Sequence, residues 1–178
     1  MKAESPYKTI EDLKGKVVAR TDPLSGSGYL IPTAAFRAMG KPVDEYFKSP
    51  LAGGHPQAVL GVLRGTYDAA FTWTSKDDNI GNLRAMMNKG LLKREQIRVI
   101  WVSPTLPSPP VVIRTDLPKA MRDDLEKLFV ELKDHDMKIA EAIAQGRTRG
   151  MVPIQHKDYE LICQAAVDER EARKKKAK

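Results

Sequence analysis

The sequence predicts an α/β fold in which a mostly parallel sheet is flanked by helices. Short β-branched or aromatic runs alternate with apolar patterns of helical period up to residue 102, and this alternation is typical of doubly wound sheets. A hydrophobic content of 42% and a charged content of 30% are ordinary for a globular chain with a buried core.

The predicted elements of this region follow one another without long gaps. Residues 16–20 (KVVAR) form the first predicted strand, and residues 29–39 form a helix. Residues 45–49 are a weaker strand, and residues 56–65 form a helix with a proline in its first turn.

Two more strands and one helix complete the predicted sheet region. Residues 68–73 (DAAFTW) and 98–102 (RVIWV) are the strands, and residues 82–92 form the helix between them. The strand-to-helix connections are therefore expected at one edge of the sheet, where ligands bind in doubly wound folds.

The pattern changes after residue 102. Residues 103–110 (SPTLPSPP) contain four prolines in eight positions, which predicts a stiff extended connector. Residues 111–114 are predicted as one more strand, and the chain from Leu117 onward is predicted as helical, with breaks near Gly146 and around Pro153. A lone strand followed by helices is expected to dock onto strands that this chain does not contain.

The net charge of +7 is concentrated at the end of the sequence. Residues 170–178 carry six basic groups and one acidic group, which contribute +5, so the rest of the chain is close to balanced at +2. A basic tail favours nucleic acid only weakly, because lysine and arginine also complement a solvated helix end. We therefore expect no nucleic-acid partner.

Several classes of protein are disfavoured by what the sequence lacks. It contains no apolar run long enough to span a bilayer, and the first sixteen residues lack the apolar core of an export signal. The chain is therefore either a cytosolic protein or a piece that starts downstream of such a signal. A single cysteine, Cys163, forms no internal disulfide, and no cofactor or metal is expected.

The most informative segment is the loop of residues 22–28 (DPLSGSG), between a predicted strand and a predicted helix. Unpaired backbone N–H groups and the hydroxyls of Ser25 and Ser27 would point at one place, with the positive end of the helix dipole behind them. Gly26 allows a ligand to approach the backbone closely. The loop lacks the Gly-Lys-Ser/Thr ending of a nucleotide-binding P-loop, and it lacks the G-x-G-x-x-G motif of dinucleotide-binding folds. The alternative interpretation is a serine-capped helix with a flexible turn.

Two further loops are expected at the same edge. Residues 53–56 (GGHP) place His55 at a helix start, where its Nε2 can donate to an anion. Residues 72–75 add hydroxyls, including those of Thr74 and Ser75, and the ring of Trp73. We predict that these groups converge with Ser25 and Ser27, although an isolated surface histidine and a rim tryptophan are common without any function.

Taken together, these segments resemble the periplasmic binding proteins of phosphonate ABC transporters, which have the type 2 periplasmic-binding fold. The resemblance covers residues from about 8 to about 160. The matching segments are DLKGK (12–16), DPLSGSGYLIP (22–32), GGHPQAV (53–59), YDAAFTWTS (67–75) and IRVIWVSPTLPSPPVVIRTDLP (97–118).

The resemblance implies a non-catalytic solute-binding component of an ABC importer. Two lobes would close on a phosphonate or phosphite-type oxyanion and deliver it to a membrane permease, in the periplasm. The anion-binding roles would fall on Ser25, the Gly26 amide, Ser27 and His55. Relatives carry a hydroxyl side chain where this sequence has Gly26, and their opposite lobe supplies tyrosines from a region upstream of this chain.

The resemblance also divides the chain into expected regions. Residues 10–102 would form one nearly complete doubly wound lobe, and residues 103–110 the crossover. Residues 111–165 would be the C-terminal part of the other lobe, whose start is absent, followed by a charged tail of residues 166–178. Apolar faces of the helices within residues 111–165, around Leu125 and Leu128, would then be open to oligomer formation.

Two positions bear on ligand specificity. Relatives that bind 2-aminoethylphosphonate hold its ammonium with two carboxylates, whose places are taken here by Ser75 and Pro109. A buried ammonium without a carboxylate is costly, so we expect a ligand without an amine, unless Asp77 or Asp78 bends inward.

Two alternative functions remain open from the sequence. The same fold serves for other oxyanions, such as sulfate or a carboxylate, and for effector domains. A hydrolase would use Ser25 or Ser27 as nucleophile and His55 as base, although the G-x-S-x-G elbow is absent and no acid is placed to orient the histidine.

Overall fold

The computed structural model describes residues 1–144 and 146–176. Two short strands, β1 (Val18–Ala19) and β2 (Ala69–Ala70), are formed, and a π-helical turn, Gly26–Leu30, leads directly into α1. Single 3₁₀ turns lie at Glu11–Leu13, Arg94–Gln96 and His156–Tyr159. The α-helices are α1 (Ile31–Ala38), α2 (Val43–Tyr46), α3 (His55–Arg64), α4 (Asn82–Asn88), α5 (Lys119–His135), α6 (Met137–Ala144) and α7 (Glu160–Lys176).

The sheet is parallel, as the sequence predicts. Strands β1 and β2 pair in parallel with Val18 opposite Ala69. On the other side of β1, residues 48–51 run parallel to it through single bridges at Val17 and Arg20. The order is therefore residues 48–51, then β1, then β2, which puts β1 in the middle and brings the segments that follow all three to one edge.

Three predicted strands were wrong in whole or in part. The first two residues of the strand predicted at 45–49 belong instead to α2, and pairing begins only at Lys48. Residues 98–102 and 111–114 have no ladder among the described residues, and Ile97 pairs instead with Lys2 in an antiparallel bridge. A β-branched run forms a strand only where a neighbouring backbone accepts its hydrogen bonds. Val112, 83% exposed, has no such neighbour in the described chain.

The core lies on both faces of this sheet. On one face, Phe36 of α1 makes edge-to-face contacts with Phe47, Phe71 and Trp101, at centroid distances of 5.3–5.4 Å. On the other face, α3 and α4 bury an aliphatic cluster that includes Leu83 and Met86. Helical periodicity predicted the apolar faces of α3 and α4 but not the burial of Phe36 in α1. The burial of these faces fixes the positions of the helix starts that carry the loops.

Helices α5 and α6 pack on each other at the periphery. Helix α5 has no buried residue, and Leu128 is 54% exposed. In α6 only Ala140 is buried, whereas Ile139 and Ile143 are exposed. The helical prediction for this region is confirmed, and residues 146–155 are non-helical as predicted, but the break at Asp136 between α5 and α6 was not predicted.

Helix α7 differs from the predicted charged tail, because it runs unbroken across residue 166 and docks on α1. Glu169, which is buried, accepts hydrogen bonds from the Tyr29 hydroxyl at 3.0 Å and from Arg173 at 3.0 Å, and pairs with Arg37 at 3.3 Å. Ala165 is buried beside it. In the sequence, one alanine and one glutamate in a charged helix look the same whether the helix docks on the protein or is solvated. The docking of α7 could therefore not be predicted. Residues 177 and 178 of the predicted tail lie outside the described residues.

No helix of the described chain has the length and apolarity that a membrane span requires.

Candidate functional site

The loop between β1 and α1 is held in shape by its own side chains. The Ser25 hydroxyl oxygen accepts a hydrogen bond from the Gly28 amide at 3.0 Å, which caps the π-helical turn. The Asp22 carboxylate accepts from the Leu24 amide at 3.0 Å, and the Asp22 carbonyl accepts from the Ser25 amide at 3.1 Å. These local bonds explain why a serine-rich, glycine-containing sequence forms a defined loop here.

The π-helical turn leaves unpaired donors at its start. The amides of Tyr29 and Leu30 both donate to the Ser25 carbonyl, at 3.1 and 2.9 Å. The amides of Gly26 and Ser27 donate to no protein acceptor within the described chain, and the Ser27 hydroxyl has no partner there either. Such first-turn amides, with the dipole of α1 behind them, are suited to an anion.

His55 begins α3 and faces this loop, as the sequence predicts. Its Nε2 lies 3.3 Å from Ser25 Oγ, and its Nδ1 lies 3.3 Å from Thr72 Oγ1. Asn82, the first residue of α4, donates from Nδ2 to Thr72 Oγ1 at 3.0 Å. Three successive connections at one sheet edge therefore meet around one imidazole. Sequence reasoning missed Asn82, for which an asparagine at a predicted helix start was the available signal.

Thr74 and Ser75 line the same cleft but donate their hydroxyl protons within their own loop. Thr74 donates to Asp78 at 2.9 Å, and Ser75 donates to Asp77 at 2.6 Å. The hydrogen bonds from Ser75 and Asn79 lower the pKa of Asp77 to about 2. Both residues thus shape the 74–81 turn and leave no free hydroxyl proton for a ligand.

Asp78 is the acidic residue of the cleft wall, and it is already paired. Arg94 Nε lies 2.8 Å from its carboxylate. Partial burial raises the pKa of Asp78, but the hydrogen bonds from Arg94 and Thr74 outweigh burial and hold the pKa below its ordinary value. Among the described residues, no three histidine, cysteine or carboxylate side chains are grouped as a metal site would require.

A cleft of about 1040 Å³ joins these groups. Its wall is completed by residues of the proline-rich connector, including Pro109, and by α7. A methyl group built on Gly26 would lie 3.9 Å from Ile162 Cγ2, and the Tyr159 hydroxyl donates to the Ser108 carbonyl at 2.7 Å. All six candidate residues of the sequence analysis line this cleft: Ser25, Gly26, Ser27, His55, Thr74 and Ser75.

The protonation of His55 links this site to stability. Burial lowers the pKa of His55 below its ordinary value of 6.5, and the nearby Asp22 carboxylate offsets only part of that effect. As pH falls through 6.5 the unfolded chain takes up a proton that the folded chain does not, so stability is lost in that window. We expect a smaller free energy of unfolding by urea at about pH 5.5 than at about pH 7.5.

The matched control is His156, which is exposed. His55→Gln should reduce this dependence on pH, whereas His156→Gln should leave it unchanged. If the free energy of unfolding depends on pH equally in the two variants, a role for His55 burial is contradicted.

Comparison with known proteins gives consistent matches. The family model described as "ABC transporter, phosphonate, periplasmic substrate-binding protein" matches residues 1–159. The phosphate-import protein PhnD of Mycolicibacterium smegmatis is 27% identical over 176 residues, covering 89% of this chain and 53% of that protein. The phosphonates-binding periplasmic protein of Escherichia coli is 28% identical over 131 residues, covering 71% of this chain and 37% of that protein.

A solved structure has the same fold. It is a binding-protein component of an ABC phosphonate transporter from Pseudomonas aeruginosa, with a TM-score of 0.69 at 22% identity, covering 95% of this chain and 55% of that one. This chain therefore spans about half the length of that structure and of the Mycolicibacterium relative, and less of the Escherichia coli one.

Proposed function

The chain belongs to the periplasmic substrate-binding proteins of phosphonate ABC transporters, and from that membership we propose that it binds a small phosphorus oxyanion without an amine. Phosphite, phosphate and small alkylphosphonates are the candidate ligands. Its fold is a partial type 2 periplasmic-binding fold, which supports a solute-binding role without catalysis.

The observation that carries the proposal is a set of hydrogen-bond donors facing one cleft. The amides of Gly26 and Ser27 are unpaired within the described chain, and the hydroxyls of Ser25 and Ser27 and the imidazole of His55 line the same space. Donors without formal charge, in front of a helix start, stabilise an oxyanion without the desolvation cost of a buried cation.

The cleft gives less support to a ligand with an ammonium group. Ser75, at the position where the family resemblance implies a carboxylate, donates to Asp77, and Pro109 has no acid to offer. Asp78 is paired with Arg94, so an ammonium would have to displace that guanidinium. These contacts favour a ligand whose substituent is small and uncharged.

Calorimetric titration of the chain with a panel of anions tests this proposal. We expect phosphite, phosphate or methylphosphonate to bind at least about tenfold more tightly than 2-aminoethylphosphonate, because an unpaired buried ammonium is unfavourable. Tighter binding of 2-aminoethylphosphonate would contradict the proposed ligand class. Tightest binding of sulfate or acetate would assign the site to another oxyanion.

A hydrolase is the second candidate, because Ser25 Oγ and His55 Nε2 lie within 3.3 Å of each other. Two contacts argue against it. Ser25 Oγ accepts from the Gly28 amide, and His55 Nδ1 faces the Thr72 hydroxyl where a triad has a carboxylate. Mass spectrometry after incubation with a fluorophosphonate probe should find no adduct on Ser25 or Ser27, and an adduct there would favour the hydrolase.

The wider role follows from family membership as part of the same proposal. Residues 10–102 would supply the anion-binding lobe, and the complete binding protein would present its ligand to a membrane permease from the periplasmic side. The exposed apolar side chains of α5 and α6 would allow association with a second chain, which this proposal does not require.

A further inference from the structure

A chain of hydrogen bonds connects the start of α4 to the proposed anion site. It passes through Asn82, Thr72, His55 and Ser25, with distances of 3.0, 3.3 and 3.3 Å between successive polar atoms. Asn82 is buried, and Thr72 and His55 are half-buried. Because each hydroxyl has one proton to donate, the direction of the first bond constrains the others.

The direction is set at Asn82. Its Nδ2 lies 3.0 Å from Thr72 Oγ1 and 3.4 Å from Met86 Sδ. A thioether sulfur only accepts, so the amide nitrogen belongs on this side and the reversed amide would place an oxygen against the sulfur. Thr72 Oγ1 is therefore an acceptor from Asn82.

Thr72 passes this direction on to His55. Asn82 donates to the Thr72 oxygen, and the acceptor available to the Thr72 proton among the described residues is His55 Nδ1 at 3.3 Å, so Thr72 donates to it. The proton of a neutral imidazole then lies on Nε2. In the other tautomer, the Thr72 proton would have no acceptor among the described residues, which is unfavourable for a half-buried hydroxyl.

The same direction determines what Ser25 offers to a ligand. Its oxygen accepts from the Gly28 amide at 3.0 Å and from His55 Nε2 at 3.3 Å. Both lone pairs are then occupied, so the hydroxyl proton is the group left to contact a ligand in the cleft. In the other tautomer Ser25 would donate its proton to His55, and neither side chain would offer a proton to an anion.

We propose that Thr72 and Asn82 are positioning residues that hold His55 as its Nε2–H tautomer, so that His55 donates to Ser25 and the Ser25 hydroxyl proton is left free to face the cleft. This inference rests on the proposed oxyanion function for its purpose, but the tautomer itself exists without any ligand. It assigns a role to two side chains that need not touch the anion.

The direct test is the tautomer of His55 in the ligand-free chain. Long-range ¹H–¹⁵N correlation spectra at about pH 7.5 distinguish Nε2–H from Nδ1–H, and His55→Gln identifies the signals among those of the three histidines. We expect a protonated Nε2 and an unprotonated Nδ1. An Nδ1–H pattern in the wild-type chain would overturn the proposal without any substitution having been made.

Three variants test the direction of the chain. Thr72→Val removes the donor to Nδ1 and should yield a tautomer mixture with roughly tenfold weaker phosphite binding. Thr72→Ser keeps the hydroxyl and should retain both the Nε2–H tautomer of His55 and the wild-type phosphite affinity. Asn82→Asp replaces the amide donor by an acceptor, so the Thr72 proton should turn away from His55 and the imidazole should change to Nδ1–H. An unchanged tautomer in both Thr72→Val and Asn82→Asp would refute the proposal.

The two proposals fail in different ways. If phosphite and phosphate do not bind the wild-type chain, but His55 is Nε2–H and changes in Asn82→Asp, the oxyanion function is wrong and the positioning role stands. If phosphite binds but the tautomer is insensitive to both residues, the positioning role is wrong.

Discussion

Replacing Gly28 with alanine is expected to abolish anion binding and to lower the free energy of unfolding by about 1–3 kcal/mol or more. A methyl group built on Gly28 would overlap Thr21 Oγ1 and would lie 2.6 Å from Thr21 Cγ2 and 2.9 Å from Thr21 Cβ. Thr21 is fully buried, and its amide donates to the Gly28 carbonyl at 3.1 Å. The loop must therefore move away from β1, which separates the Gly28 amide from Ser25.

Urea unfolding and phosphite titration measure the two parts of this effect. Gly26→Ala is the matched control for stability, because its methyl group would meet only Ile162, at 3.9 Å. The double variant Thr21→Ala with Gly28→Ala removes the two closest atoms and should recover part of the lost stability. Equal unfolding midpoints for Gly28→Ala and the wild-type chain would contradict the clash.

Replacing Ser25 with alanine is expected to weaken phosphite binding by about ten- to one-hundredfold, the effect of one hydrogen bond to a charged group. The variant also leaves the Gly28 amide without its partner at 3.0 Å, and loss of such a cap lowers stability by about 1 kcal/mol. Calorimetry measures the phosphite affinity, and urea unfolding measures the stability lost with the helix cap.

Ser5→Ala is the matched control for Ser25→Ala. Ser5 also accepts a backbone N–H, from Tyr7 at 3.3 Å, but it does not line the cleft. Its replacement should leave phosphite affinity unchanged. If both serine variants lose affinity equally, the loss reflects general instability and Ser25 has no specific role.

The sequence predicted the parallel sheet and the convergence of its loops for simple reasons. The runs at residues 16–20 and 68–73 are β-branched or aromatic, and both end in segments of small polar residues. Carboxyl ends of parallel strands meet at one edge, so Ser25 and His55 were expected to be close, and they lie 3.3 Å apart. Local composition was sufficient to predict this convergence, because each loop directly follows a strand whose composition is recognisable.

Other features could not be read from local pattern. The bridge between Lys2 and Ile97 joins distant parts of the chain through backbone atoms, which carry no sequence signature. The segments at residues 98–102 and 111–114 had the composition of strands, but apart from the hydrogen bonds between Arg98 and Met1 neither has a backbone partner among the described residues. The hydroxyl bonds of Thr74 and Ser75 within their own turn were equally hidden, because their partners depend on the path of the loop.

The contact between Glu169 and Tyr29 makes α7 a structural support of the loop at residues 22–28, since Tyr29 comes directly after Gly28. An expression clone that stops at the boundary read from the sequence, residue 165, would lack this carboxylate and leave Arg37 without its counter-ion. Deletions that remove residue 169 are therefore expected to alter the ligand affinity of this protein as well as its stability.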